Sequence, residues 1–252
     1  MKKLFILIIV CVLYSHQSYS QKCKYGVNLN YITDAYNMDL PVGVYGYIEE
    51  SFLFERKFGE NIPTNERVSI GYCIFDKHGF LTRNGPSETY KNTYSPDGRI
   101  LEIDAYSDSV FVWKKKYRYE QDGVIWVTYD RDGKELCVEG QDSKHRYYRG
   151  NGLSDRDITL DKYGKAIKIS AIADISLRYN TKHYMVSSTI SGFGHSETTL
   201  YDGYKYDSRG VWISRFITKG GKPHRYEKRQ IFYSEKAAEK LIKEVEDKQT
   251  NQ

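Results

Sequence analysis

The chain has 252 residues, of which 38 are lysine or arginine and 33 are aspartate or glutamate. Hydrophobic residues make up 40% and charged residues 28%, a balance that is typical of a folded protein and excludes a disordered, collagen-like or coiled-coil chain. The 24 tyrosines, 10 phenylalanines and 3 tryptophans favour β-strands, because aromatic side chains fit a half-buried pleated surface.

The first 20 residues have the pattern of a secretory signal peptide. Two lysines precede an apolar run from Leu4 to Leu13, and Ser18 and Ser20 put small residues at the two positions that a signal peptidase reads. We predict cleavage before Gln21 and an exported protein, periplasmic or at the cell surface. The alternative is a membrane anchor, but a spanning helix needs about 20 apolar residues and this run is about half that length.

The charge of the mature chain is nearly balanced. Removal of residues 1–20 takes away two lysines and no acid, which leaves 36 basic and 33 acidic residues and a net charge of +3. This balance argues against nucleic acid as a partner. No later segment is apolar enough to span a membrane, so a protein or a glycan is the expected partner.

Three cysteines remain after cleavage: Cys23, Cys73 and Cys137. Export permits a disulfide, but the odd number leaves at least one thiol free or paired with another chain. Cys73 and Cys137 lie in strand-like runs, which favours small buried hydrophobic residues. No cysteine or histidine spacing is typical of a metal site, and we predict neither a metal nor a cofactor.

A turn pattern recurs along the chain, in which an aromatic residue or leucine is followed by Asp, two residues and Gly. The copies are 75–79, 129–133, 160–164 and 206–210, together with 94–98 and 119–123, which have Ser and Glu in place of the first Asp. A type I turn favours Asp or Ser first, because the short side chain bonds the backbone two residues on, and Gly fourth. We assign structural turn roles to Asp76, Gly79, Gly98, Gly123, Asp130, Gly133, Asp161, Gly164, Asp207 and Gly210.

The segments between these turns alternate in the manner of strands. After Gly98, for example, Leu101, Ile103 and Ala105 fall on one face. The sequence therefore predicts an all-β, twisted antiparallel meander of hairpin repeats over residues 43–234. Residues 21–42 are expected to be an irregular N-terminal lead.

One α-helix is predicted at the C-terminus, over residues 235–252 with a frayed polar tail. Ser234 can cap it, and Ala238, Leu241, Ile242 and Val245 fall on one face. We expect the helix to pack at an edge or end of the sheet and to cover an otherwise unpaired strand.

The segment Tyr204–Ile213 contains Tyr-x-Tyr-Asp-x-x-Gly followed by hydrophobic residues, and 118–123 is a partial copy. These segments resemble YD repeats of the RHS type. Over residues 43–234 the chain is similar to small exported YD-repeat-like bacterial proteins, with a comparable opening at 43–51 and a comparable close at 221–233. The resemblance implies an antiparallel β scaffold and no established catalytic residues. Large RHS proteins enclose a toxin in a closed β-cocoon, for which this chain is too short.

No catalytic constellation stands out in the sequence. The loop 192–197 is the most site-like segment, because it combines glycines, a histidine, a serine and a glutamate, but a strand connection is the favoured explanation. Asp130 and Asp132 supply too few oxygens for a calcium site, since calcium takes about 6–8 oxygen ligands. We therefore assign no catalytic residue.

Aromatic residues in predicted strands give one candidate ligand-binding surface: Trp113, Trp126, Trp212, Tyr117 and Tyr119. Stacked rings on a sheet face can hold sugar rings or a peptide, whereas core packing or cross-strand ladders are the favoured alternative. An unpaired strand edge is a second possible binding surface.

The functional hypothesis is an exported, non-enzymatic β-repeat scaffold or interaction protein of the cell envelope. Two alternatives remain open. A glycan-binding module requires coplanar, solvent-facing Trp or Tyr rings, and an extracellular glycan hydrolase requires two carboxyl groups facing each other in a cleft.

Overall fold

The computed structural model describes residues 33–41, 43–121, 123–142, 147–150, 157–161, 165–170 and 173–250. The predicted signal peptide, Cys23 and Gly164 lie outside these residues. Within them, strands predominate and follow one another as an antiparallel meander with a C-terminal helix, which confirms the predicted all-β fold.

Sixteen strands are present in the described part of the chain, with a short helix before them and a longer helix after them. They are α1 (Asp34–Asn37), β1 (Gly46–Lys57), β2 (Glu60–Phe75), β3 (Leu81–Asn84), β4 (Glu88–Tyr94), β5 (Ile100–Ser107), β6 (Val110–Glu120), β7 (Gly123–Asp130), β8 (Glu135–Asp142), β9 (Tyr147–Gly150), β10 (Asp157–Leu160), β11 (Ala166–Ser170), β12 (Asp174–Tyr179), β13 (Met185–Gly192), β14 (His195–Tyr206), β15 (Trp212–Lys219), β16 (Lys222–Phe232) and α2 (Glu235–Thr250).

The sheet closes on itself, which the sequence did not reveal. Strand β1 pairs with β2, where Gly46 faces Ile74, and also with β16, where Gly46 faces Phe232. The first and last strands are therefore neighbours, and neither end of the meander offers a free edge. This corrects the expectation that α2 covers an unpaired strand and removes the terminal strands as an edge-binding surface.

Helix α2 instead packs across the outer face of β1, β2 and β16. Ala238 is fully buried against Ile48, Tyr72 and Phe232. A Cβ at Gly46 would lie 3.2 Å from the Ala238 Cβ and 2.8 Å from a backbone oxygen, so the close approach of the helix depends on this glycine. Within the described residues, no helix is both long enough and apolar enough to cross a membrane.

The connections of the meander alternate between the two ends of the closed sheet. The turn end carries the connections β2–β3, β4–β5, β6–β7, β10–β11, β12–β13 and β14–β15. The hairpin end carries β1–β2, β3–β4, β5–β6, β7–β8, β13–β14 and β15–β16.

Aspartate side chains organise the turns as their sequence pattern suggests. Asp207 Oδ1 accepts hydrogen bonds from the N–H groups of Arg209 and Val211, both at 2.9 Å. Asp76 and Asp130 bind the same two relative positions of their own turns, and Asp161 accepts from the N–H four residues on. The glycines with positive φ in these connections are Gly79, Gly98, Gly133 and Gly210.

Two connections depart from the sequence pattern. Gly123 is the first residue of β7 and pairs with Glu120, so the turn is shorter than the pattern implies and this glycine needs no positive φ. The β12–β13 connection was missed because it contains neither Asp nor Gly. There Asn180 Oδ1 accepts from two backbone N–H groups, and His183 takes the positive-φ position.

Tyrosines at or near the ends of strands connect five of the turns at the turn end to a later repeat. Tyr233 donates to Asp207, and Tyr94 donates to Asp76. The other members bind the turn region that precedes them, at 2.8 to 3.4 Å. We call these five residues the turn-end tyrosines: Tyr94, Tyr119, Tyr179, Tyr206 and Tyr233.

The described part of the lead lies against the inner face of the sheet at the turn end. The Ala35 N–H donates to the Gly79 carbonyl at 2.9 Å, and Asp34 Oδ2 accepts from the Leu81 N–H at 2.8 Å. Part of this predicted irregular segment forms α1. Its apolar side chains enter the core beside Tyr47 and Phe75, and they are Ala35, Met38 and Leu40.

Replacement of Asp207 tests the link between turns and tyrosines. Asp207→Ala removes the acceptor of two backbone N–H groups and of the Tyr233 hydroxyl, and we expect a loss of about 2–3 kcal/mol in the free energy of unfolding. Urea denaturation of the purified protein measures this loss.

Asp130→Ala is the matched control. Asp130 binds the same backbone positions of its turn, but it lies at the hairpin end, and no tyrosine hydroxyl donates to it among the described residues. We expect a smaller loss, about 1 kcal/mol. Equal losses in the two variants would contradict a stabilising role for the tyrosine.

Candidate functional site

A cavity of about 200 Å³ opens at the hairpin end, among strands β12 to β16. We call it the mouth cavity. Its aliphatic lining consists of Ile175, Leu177, Ile190 and Ile217. Its polar lining consists of Ser188, Glu197, Thr199, Tyr201, Lys219, His224, Arg225 and Glu227.

Apart from His224, the lining side chains of each strand are two residues apart, so they lie on one face of the sheet. Ile217 of β15 and Arg225 of β16 are direct cross-strand partners, and Glu227 shares the face of Arg225 because it lies two residues further on. Ile175 and Leu177 are related in the same way on β12. The cavity therefore combines an aliphatic wall with charged residues of two neighbouring strands.

The rim of the cavity is positively charged. Lys219 Nζ lies 3.2 Å from Glu197 Oε2, so these two charges compensate each other. No described residue accepts a hydrogen bond from the Arg225 guanidinium or forms an ion pair with it. Burial, followed by the charges of Arg225 and Lys219, lowers the pKa of His224, which keeps its imidazole neutral at pH 7.

Two ion pairs lie further along the same inner face, and Glu227 of the first pair also lines the cavity. Arg215 Nε lies 2.6 Å from Glu227 Oε2, and Arg229 Nε lies 2.7 Å from Glu49 Oε2. The two guanidinium groups are 4.2 Å and 3.8 Å from the centre of the Trp212 ring, within the range of cation–π attraction. Such charges are costly to bury, and the pairs and the ring offset that cost.

The Arg229–Glu49 pair is joined to the described part of the lead. Arg229 Nη1 donates to the Met38 carbonyl at 2.8 Å, and Asp39 interacts with Lys165, Arg215 and Arg229. Burial raises the pKa of Asp39 even though these bases oppose the shift. Arg229 and Asp39 therefore link the described part of the lead to the charged residues of the inner face.

Glu197 and Glu227 both line the cavity, although they are 30 positions apart in the sequence. Two carboxyl groups in one cleft are the arrangement that a glycan hydrolase requires. Here each is already paired with a base of the protein, Glu197 with Lys219 and Glu227 with Arg215. This pairing favours binding over hydrolysis.

A buried lysine, which the sequence did not single out, lies deeper in the molecule. Lys165 is 1% exposed, its Nζ has no hydrogen-bond partner among the described residues, and it lies 4.4 Å from the centre of the Tyr179 ring. Burial lowers its pKa to about 7, while Asp39 and Asp161 oppose the shift. The pKa of this amine therefore lies close to neutral pH.

The aromatic residues named as a candidate ligand surface lie in or against the core. Trp212 is 0% and Trp126 is 9% exposed, so neither ring can face solvent as a sugar platform requires. Trp113, Tyr117 and Tyr119 are half-buried and pack against core residues, among them Ile100. The rings meet neighbouring strands because the closed sheet turns this face inward.

The residues of the mouth cavity were not recognisable from sequence. Along β16, Arg225 and Glu227 alternate with Tyr226 and Lys228, so both faces of the strand carry polar groups and neither stands out as lining. The 192–197 loop was identified as site-like. The segment contains the connection between β13 and β14, and Glu197, which lies in β14 beyond the tip, lines the cavity.

Cys73 and Cys137 are both buried, and Cys73 forms no disulfide. Burial raises the pKa of Cys73 to about 12, which keeps its thiol protonated and unreactive. Among the described residues, no group of three or more His, Cys, Asp or Glu side chains could hold a metal ion.

Comparison of the sequence with protein-family models and with curated proteins finds no match. The resemblance to YD-repeat proteins therefore stays a prediction.

Lys165 predicts a pH dependence of stability. Between pH 7 and about 10 the unfolded chain holds a proton on this amine that the folded chain has lost, so the free energy of unfolding rises with pH by up to about 1.4 kcal/mol per unit. Lys165→Met removes this slope and raises stability at pH 7 and below. Urea denaturation across this pH range measures both effects.

Lys168→Met is the control, because Lys168 is exposed on the next strand and its loss removes the same charge. It should keep the wild-type slope. The same slope in wild type and Lys165→Met would mean that the amine stays charged in the folded protein.

Proposed function

We propose that this chain is an exported, non-enzymatic interaction protein of the cell envelope, which binds a partner protein at the hairpin end of its closed β-repeat sheet. The observation that carries the proposal is a pair of phenylalanines at hairpin tips. Phe58 is 105% exposed and Phe193 is 75% exposed.

Both phenylalanines lie in two-residue hairpin loops that are unfavourable for them. Phe58 has a φ of 52° and Phe193 a φ of 51°, and a glycine with positive φ follows each. Asn is the preferred first residue of such a loop, whereas a bulky side chain at positive φ costs about 1–2 kcal/mol. Large apolar side chains that are both exposed and strained favour a functional explanation over a structural one.

The two tips belong to the same region of the molecule. Hairpins β13–β14, β15–β16 and β1–β2 follow one another around the closed sheet, and all three connections are at the hairpin end. The tip between Phe193 and Phe58 carries Lys219 and Lys222. A partner with an apolar patch and acidic neighbours would complement this surface.

Export predicts a specific mature N-terminus. Expression of the full chain in a bacterium with an outer membrane should yield a periplasmic or surface protein that begins at Gln21, as read by intact mass. Val10→Arg, which interrupts the apolar run, should leave the precursor uncleaved in the cytoplasm. A wild-type protein that keeps residues 1–20 would contradict export through a cleaved signal.

Site-specific crosslinking tests the partner surface. A photoreactive phenylalanine analogue at position 58 or 193 should crosslink the same protein in cells, whereas the analogue at Lys77 or Ser208, in turn-end connections, should not. Purified wild-type protein in excess should suppress the crosslink by competition.

The Phe58→Asn/Phe193→Asn double variant is the decisive competitor. Asn tolerates positive φ, so the variant should fold at least as well as wild type while losing both apolar tips. We expect at least tenfold weaker competition. Equal competition by this variant, or the same crosslinks from both ends, would overturn the proposed surface.

A further inference from the structure

We propose that the mouth cavity is a binding site for a small monocarboxylate with an aliphatic body. The carboxylate would bind the Arg225 guanidinium, and the aliphatic body would lie against the wall formed by Ile175, Leu177, Ile190 and Ile217. Neither Phe58 nor Phe193 lines this site, and Lys219 is the residue that it shares with the partner surface.

The charges of the cavity indicate that the ligand is an anion. Glu197 is paired with Lys219 at 3.2 Å and Glu227 with Arg215 at 2.6 Å, so both acids are already neutralised. Arg225 is the cavity-lining base that no described residue pairs with an acid. A cationic ligand would meet this guanidinium without a free acid to offset it, whereas a carboxylate can accept two parallel hydrogen bonds from it.

The aliphatic wall of the cavity favours a ligand with an apolar body. Four aliphatic side chains face the cavity, and Ile217 is the cross-strand partner of Arg225, so charge and wall adjoin directly. The Thr199 hydroxyl, also in the lining, can donate a further hydrogen bond. Sugars favour aromatic platforms and many hydroxyl partners, and this wall offers aliphatic surface.

The volume limits the size of the ligand. A cavity of about 200 Å³ equals about seven water molecules at about 30 Å³ each. It is smaller than the roughly 300–1,000 Å³ of sites for drug-sized molecules. A carboxylate with about six carbons therefore fits, whereas a long-chain fatty acid would extend into solvent.

Hexanoate is the probe, with hexanol and hexylammonium as matched ligands of the same length. Calorimetry on the full mature chain should show saturable binding of hexanoate, with the alcohol and the amine at least tenfold weaker. Binding should also raise the pKa of His224, since the carboxylate offsets the charges of Arg225 and Lys219, which lower that pKa. Histidine resonances in NMR report this shift at the site itself.

Two variants locate the interaction. Arg225→Met keeps an apolar stem but removes the charge, and we expect at least tenfold weaker hexanoate binding. Arg178→Met removes the same charge from an exposed position on β12 and should bind as wild type.

Three outcomes would overturn the site: no saturable binding of hexanoate, binding of hexanol that is equally tight, or full affinity in Arg225→Met. The Phe58→Asn/Phe193→Asn variant should keep hexanoate binding unchanged. Failure of the carboxylate site is thereby distinguished from failure of the partner surface.

Discussion

At the turn end of the sheet, one aspartate holds its own turn and a later strand at the same time. Asp207 accepts two backbone N–H groups of its turn through Oδ1, and its other carboxylate oxygen accepts the hydroxyl of Tyr233, 26 positions further on. Asp76 and Tyr94 repeat this arrangement. Burial and the hydrogen bond to Asp207 raise the pKa of Tyr233, so the hydroxyl remains a donor. A local turn thereby specifies a contact between repeats, and successive contacts of this kind set how each hairpin follows the previous one.

Closure of the sheet brings charged side chains together on its inner face. Strands β1 and β16 meet, and the inner face that they share carries Glu49, Arg229 and Glu227 close to one another. Charges in such a place are tolerated only when they are paired and hydrogen-bonded. The described part of the lead supplies some of these partners. The Met38 carbonyl accepts a hydrogen bond from Arg229, and Asp39 lies among the buried bases. The described part of the lead, residues 33–41, therefore contributes to the core, although its sequence predicts an irregular segment.

The hairpin end is free of these constraints, and the features without a structural explanation are found there. Phe58 and Phe193 occupy strained positions with their rings in solvent, and Arg225 keeps an unpaired charge beside aliphatic side chains. One end of the sheet is built for stability, with turns, tyrosines and the lead packed together. The other end presents apolar tips and a small cavity. This division of the molecule supports an interaction protein in which the repeats form the scaffold and the hairpins meet the partner.

The sequence by itself determined the strands, the aspartate turns and the C-terminal helix, because each depends on residues close together in the chain. Alternation, short polar side chains and glycine act locally, so their pattern can be read without the fold. Only the tertiary structure decided that β1 meets β16, that Trp212 faces inward, and that Glu197 and Glu227 share a cavity. Tyr129-Asp130 and Tyr206-Asp207 have the same sequence pattern, yet they lie at opposite ends of the sheet and only the second turn binds a tyrosine hydroxyl among the described residues. Which end a turn occupies, and which face of a strand lines the cavity, depend on closure of the whole sheet, which no local pattern encodes.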